Sequence, residues 1–477
     1  MCEKNILFVS FSNHLSSAVS KVVEGAAVSV VPHVIVTQDT VLNFKYAKRF
    51  DYRKCSLGMM PDEDYDYPVD ANLLDEMKKY ESSCLKMMDR FESTNGLFSY
   101  QARVNLYHKI IAFWYNYIKK NDIKACFFTL VPHVVFDYVI YALCKTLNIK
   151  THMFYRLNVV VGRNVSLYGI EEIGEGIKNI KETYNSVDLN SNIPLDSRFN
   201  SYLEIRDNPG QTFTGKKNYS RKKNIITRAL SSLNYRVRNE IHWINHGKSL
   251  SDSISKFLIK RKYLKNECKL RAILNIEELK DKKFVYIPLH FQPECSTNPL
   301  GGDFVHQDLM VDMIAKNIPP DWLVVVKKHV KHNSKDYTFN RLDLSKNVVV
   351  ADNKINSLDL VKASTAVATV TGTAGFEGFL NYKPVLLFGN TFYMDAPNVF
   401  KIRSNDHVKS CIKQIAKGID PPSLQQVKAF LYACQLNSYS GWVDNRYRPI
   451  SQLTDEENTT TLSHIMLEKF NEWIEYE

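Results

Sequence analysis

The chain has 477 residues, 44% of them hydrophobic and 24% charged, a composition that excludes a disordered, fibrous or disulfide-stapled miniature protein and allows two or three domains with real cores. The formal net charge of +11 raises the question of a nucleic-acid or anionic-membrane partner. Residues 214–271 alone hold 16 Lys/Arg against 3 Asp/Glu, a local +13, so the rest of the chain, with 46 basic and 48 acidic residues, is slightly acidic. Nine cysteines without a C-x-x-C pair or a regular spacing argue against a zinc site or a disulfide framework and fit free thiols in a reducing cytoplasm.

Residues 5–10 (NILFVS) read as a buried parallel strand that starts too early to leave room for a signal peptide, and 15–24 as the helix after it. Residues 28–36 suggest a second strand, interrupted by Pro32 and His33. From 70 to about 121 the apolar spacing is helical. Strand 125–130, loop 131–133, helix 136–147 and strand 150–155 then form a parallel crossover, so the first half is expected to be Rossmann-like. The stretch 125–144 is apolar, but Pro132, His133 and Asp137 interrupt it too often for a membrane span. In the basic segment, Ile226, Leu230, Leu233, Val237, Ile241 and Ile244 fall on one helical face. No recognised nucleic-acid module accompanies that charge, so the readings are a core-packing helix with a solvated basic side, or a helix resting on anionic lipid.

The second half repeats the alternation. Strand 284–289, a polar loop 290–304, helix 307–316, strands 323–327 and 347–351, a helix opening at Ser357, strand 366–371, turn 372–375, helix 376–381 and strand 385–389 follow in order. Leu462, Ile465, Met466, Phe470 and Trp473 predict a terminal amphipathic helix entered through Thr454. Together these elements predict an α/β protein with two Rossmann-like domains facing a cleft, a GT-B-like layout. The expected divisions are 1–213, a basic helical insertion at 214–280, 281–435 and a helical extension at 436–477.

Four constellations carry chemistry. In the turn Thr371-Gly372-Thr373-Ala374-Gly375, glycines allow close backbone approach, and amides at the helix start favour a phosphate oxygen; Glu377, one turn on, suits ribose hydroxyls. Lys327 and His329 stand at a strand end, where cations would neutralise a departing phosphate. His290, Gln292 and Glu294 lie in the loop after strand 284–289, where catalytic groups are commonly held; His290 and Glu294 are catalytic candidates and Gln292 a candidate donor contact. In the first half, His133 is either a base for an acceptor hydroxyl or a helix cap, and Ser12, Asn13 and His14 are candidate acceptor contacts. Asp62-Glu63-Asp64 matches a metal-binding D-x-D only superficially and reads as a solvated acidic loop.

The runs IPLHFQPECSTNPLGGDFVHQ (287–307), VVVKKH (324–329), TGTAGFEG (371–378) and KPVLLFG (383–389) resemble the bacterial capsule polysaccharide biosynthesis family, which includes the capsular Kdo transferases. The resemblance covers roughly 120–395 and is most specific over 285–390. It implies a GT-B fold, a nucleotide-sugar donor and no metal or other cofactor. The family's K-E-H-P element reads K-K-H-V here, so Lys327 and His329 match while Lys328 and Val330 depart; phosphate contact stands, and CMP-Kdo itself is less firmly indicated. Where the family tends to carry an aspartate shortly after the glutamine, this chain has Glu294, the candidate base or nucleophile.

The expected activity is glycosyl transfer from a nucleotide-sugar, a CMP-sugar favoured, to a glycan or lipid-linked glycan precursor of a capsular or surface polysaccharide. The enzyme is expected in the cytoplasm, with 214–271 as its route to the inner membrane face and no nucleic-acid partner. A sugar-nucleotide epimerase of the same architecture and a non-catalytic capsule-assembly protein are the alternatives.

Overall fold

The computed structural model describes residues 3–11, 13–36, 50, 52–60, 65–90, 99–157, 165–207, 271–329 and 347–475. Residues 214–270 of the basic segment, Ser12 and Asp62-Glu63-Asp64 therefore lie outside the described residues, as do the side chains of Asn13 and His14 in the helix Asn13–Gly25.

Continuous apolar runs form the centres of two sheets, because helices cover both faces and leave no side to solvent. Strand β1 (Lys4–Phe11) buries Ile6 through Val9 completely, and β7 (Phe284–Pro288) does the same from Phe284 to Ile287. Around β1 gather β2 (Val30–Val36), β3 (Ile123–Phe128), β4 (Lys150–Arg156) and β5 (Ser166–Ile170). Around β7 gather β6 (Arg271–Ile273), β8 (Leu323–Lys327), β9 (Val348–Ala351), β10 (Ala366–Thr369), β11 (Val385–Leu387) and β12 (Val399–Lys401). With β13 (Tyr439–Ser440), the strand orders are β13-β5-β4-β3-β1-β2 and β12-β11-β10-β7-β8-β9-β6. The expected α/β fold of two Rossmann-like halves is borne out.

Several details differ from the sequence reading. Pro32 does not break β2, because β2 is an edge strand, where a missing N–H is tolerated. The first sheet is mixed, since β5 pairs antiparallel with both β4 and β13. The helix expected from Ser357 is capped by Asn356, whose Oδ1 accepts from the Leu358 amide at 3.0 Å. The helix after β10 starts at Thr373, three residues early, so Gly375 lies inside it.

The chain also returns to its first half. After helix Leu424–Leu436, β13 joins the first sheet, and helix Asp455–Glu475 buries Leu462, Ile465, Met466, Phe470 and Trp473 against β1 and helix Asn13–Gly25. Thr454 and Glu457 close the entry as a capping box. Among the described residues no helix is long and apolar enough to cross a membrane.

Candidate functional site

Strand order reverses between β1 and β3 in the first sheet and between β7 and β10 in the second, and loops diverging at such points open a crevice at the strand carboxyl ends. One cavity of about 790 Å³ lies there, walled by both halves. The loop after β7 crosses it: Asn298 donates to the Ser83 carbonyl at 2.9 Å, and Thr371 Oγ1 donates to the Ser296 carbonyl at 2.7 Å.

The wall from the second half is a locked turn. His290 Nε2 accepts the Thr371 amide at 3.3 Å and lies 3.1 Å from Thr369 Oγ1, which itself accepts the Gly372 amide at 3.1 Å. Since Nε2 accepts, the proton of the neutral ring sits on Nδ1. Burial, helped by the nearby His329, lowers the His290 pKa to about 4, so the ring is neutral at pH 7. The Tyr393 hydroxyl donates to the Gly372 carbonyl and fixes the other side. A Cβ on Gly372 would stand 2.7 Å from Thr369 Oγ1, and one on Gly375 2.4 Å from Tyr393 Oη, so only glycine fits these positions without movement.

Thr371, Gly372, Thr373 and Ala374 line the cavity, and the helix that starts at Thr373 has no side-chain cap at Gly372. Glu377 lines it as well, and burial raises its carboxyl pKa to about 7. His329 and Lys328 stand at the same edge, the His329 ring 5.7 Å from that of Phe291. Lys327 lines the cavity but is 6% exposed, with its ammonium donating to the Ile355 carbonyl and, at 3.3 Å, to Ser357 Oγ. It therefore fastens the loop before helix Ser357–Ala363. Gln292 is outside the lining residues, its amide spent on the Val305 carbonyl, and Gly375 is covered by Tyr393.

The first half contributes His133 and three arginines. His133 Nδ1–H donates to the Val131 carbonyl at 2.7 Å, which leaves the lone pair on Nε2. Burial, then the charges of Arg90 and Arg446, lower its pKa to about 4. Asp137, not His133, caps the following helix, accepting the Val134 amide at 2.8 Å; burial raises its pKa to about 7. Glu294, an exposed carboxylate, lines the cavity within electrostatic range of Arg90 and Arg446.

Sequence reasoning missed Arg90, Arg156 and Arg446. Arg156 ends β4, the same strand-end signal that singled out Lys327, whereas Arg90 closes a short 3-10 turn and Arg446 arrives from the returning tail, and neither position has a local motif. Six Lys/Arg and three carboxylates line the cavity, which makes it net positive. Among the described residues no three His, Cys, Asp or Glu side chains come together as a metal site.

Residues 183–396 match the family model described as capsule polysaccharide biosynthesis protein. The family read from the sequence is the family matched. The match spans the whole second wall but begins beyond His133, later than the resemblance over 120–395 suggested. Among solved structures, the chain is similar to a Thermosulfurimonas dismutans KpsC β-Kdo 2,7 transferase, at 14% identity over 81% of this chain and 96% of that one, with a TM-score of 0.32. It is also similar to the KpsC β-Kdo 2,4 transferase of the same organism, at 12% identity over 65% and 79%, TM-score 0.30. A third similarity is to a UDP-GlcNAc 2-epimerase from Methanocaldococcus jannaschii, at 9% identity over 91% and 99%, TM-score 0.25. Scores of this size do not discriminate between transferase and epimerase. No curated protein matches the chain.

Proposed function

We propose that the protein is a glycosyltransferase that moves one sugar from a nucleotide-activated donor, a CMP-sugar favoured, to a capsular or surface polysaccharide precursor. The observation that supports this reading is that one net-positive cavity gathers the turn 371–374, His329 and Glu377 of the second half, Glu294 of the loop after β7, and His133 of the first half.

In this reading the donor phosphate rests on Thr373, the turn amides and His329, and the ribose on Glu377. His290 and Lys327 hold the turn and the adjoining loop rather than the donor. An acceptor hydroxyl enters from the 1–213 half and loses its proton to Glu294 or to His133 Nε2 as its oxygen bonds to the anomeric carbon. The bond from that carbon to the phosphate breaks, and the nucleotide departs with the electron pair. His329 and the helix start stabilise the charge that builds on the phosphate, and no metal is required. If the anomeric configuration is retained, Glu294 is instead the nucleophile of a first displacement.

Thermal-shift titration with CMP, UDP and GDP identifies the nucleotide, and nucleotide release from the matching sugar donor is then followed with and without glycan acceptor. Release should require the acceptor, and Glu294→Ala and His329→Ala should each slow it by about 10²-fold or more. Interconversion of nucleotide-sugars without acceptor would make the protein an epimerase, and near-normal turnover in both variants would remove the site assignment.

A further inference from the structure

Arg90 presents an unusual electrostatic arrangement. Its Nε and Nη2 are buried and have no hydrogen-bond partner among the described residues, although the side chain lines the cavity. Buried guanidinium N–H groups left without acceptors are costly, and the planar fork of an arginine fits the two oxygens of a carboxylate or phosphate. Asp137 is near enough to be felt by Arg90, but its carboxylate is committed to the amide of Val134.

Two further arginines converge on the same wall. Arg156 sits over the Tyr447 ring, its guanidinium carbon 4.0 Å from the ring centroid, and the contact holds it at the cavity wall. Arg446 stands at the mouth, largely exposed and paired with Asp444. Arg90 and Arg446 both act on His133, and Arg90 and Arg156 both act on Cys295, so the three cations share one neighbourhood although they come from a turn, a strand end and the returning tail.

We propose that Arg90, Arg156 and Arg446 form a second oxyanion site, separate from the turn 371–374, that takes a carboxylate or phosphate group of the acceptor. The word acceptor rests on the transferase reading; the oxyanion site does not. Held there, an acidic sugar or phosphorylated glycan would present its neighbouring hydroxyl toward His133 and Glu294, and a neutral glycan would leave Arg90 without acceptors. The site therefore selects anionic acceptors over neutral ones of the same shape.

The full-length protein is first saturated with whichever of CMP, UDP or GDP it binds. It is then titrated by calorimetry with D-glucuronate, inorganic phosphate and D-glucose, the first two separating a carboxylate from a phosphate preference. At least one anion is expected to bind on top of the nucleotide while glucose does not. Arg90→Lys and Arg446→Gln should weaken that binding about tenfold with an unchanged near-ultraviolet circular dichroism spectrum. Thr373→Val should weaken the nucleotide and leave the anion alone. Anion binding abolished by saturating nucleotide, absent altogether, or unaltered in both arginine variants overturns the proposal. Arginine-dependent anion binding in a protein that binds no nucleotide keeps the oxyanion site and sinks the transferase reading.

Discussion

Glu377 holds a carboxyl in the cavity wall at 9% exposure, with no hydrogen bond to that carboxyl among the described residues, and burial alone moves its pKa from 4.5 to about 7. Between those two values the folded protein holds a proton that the unfolded chain has released, so stability falls as pH rises through this window and is level above it. The shift corresponds to about 3 kcal/mol at most. Asp137 contributes a slope of the same sign, and comparison with a Glu377→Gln variant cancels it. The variant should match the wild type near pH 4.5 and become progressively more stable than it toward pH 8 in urea denaturation. Parallel stability curves would show that the carboxyl is solvated rather than desolvated. The same desolvation would make a bound ribose hydroxyl a valuable partner, so stability lost by the empty protein is a measure of what the site has to offer a ligand.

At the scale of an element, the turn between β10 and helix Thr373–Leu380 works because three side chains hold it, Thr369 from the adjoining end of β10 and two from distant segments, His290 from the loop after β7 and Tyr393 from the loop before β12. A methyl on Gly375 would meet Tyr393 Oη at 2.4 Å and Thr369 Cγ2 at 2.9 Å, so Gly375→Ala should destabilise by about 1–3 kcal/mol. Tyr393→Phe should cost about 1 kcal/mol through the bond to Gly372. Because the tightest clash is with the hydroxyl, the double variant should lose less than the sum of the two, as read by a urea double-mutant cycle. Strict additivity would place the strain elsewhere. The glycines of this turn were legible in the sequence, since strand, glycine and helix followed in order, but its locks were not. His290 read as a catalytic candidate and Gln292 as a donor contact, because a polar residue in a cleft loop looks the same in sequence whether it faces a cavity or ties down backbone. His290 does both, lining the cavity and accepting the Thr371 amide, whereas Gln292 lies outside the lining with its amide on the Val305 carbonyl.

For the whole molecule, the alternation of apolar runs made the two sheets legible, and the terminal apolar stripe predicted its helix and the buried face of that helix. What the stripe did not encode was the partner, because periodicity specifies a face to be covered and not the surface that covers it. The answer joins fold and site. Helix Asp455–Glu475 seals the first sheet at the far end of the sequence, Trp473 lying 5.1 Å from the Phe127 ring, and the segment leading to it brings Arg446 and Tyr447 to the cavity mouth. Helix Asp455–Glu475 is thus part of the half that begins the chain, and the first-half wall of the cavity depends on its docking. Trp473→Ala, which empties a buried aromatic site, should lower stability by about 3–5 kcal/mol. The loss should appear as an earlier unfolding transition of the first half, in urea followed by hydrogen exchange of β1 and β3, while nucleotide binding by the second half persists at denaturant concentrations where β1 has opened. An exchange pattern in which only 455–475 loses protection, with β1 and β3 unchanged, would mean that the helix is an appendage and that Arg446 reaches the cavity without its help.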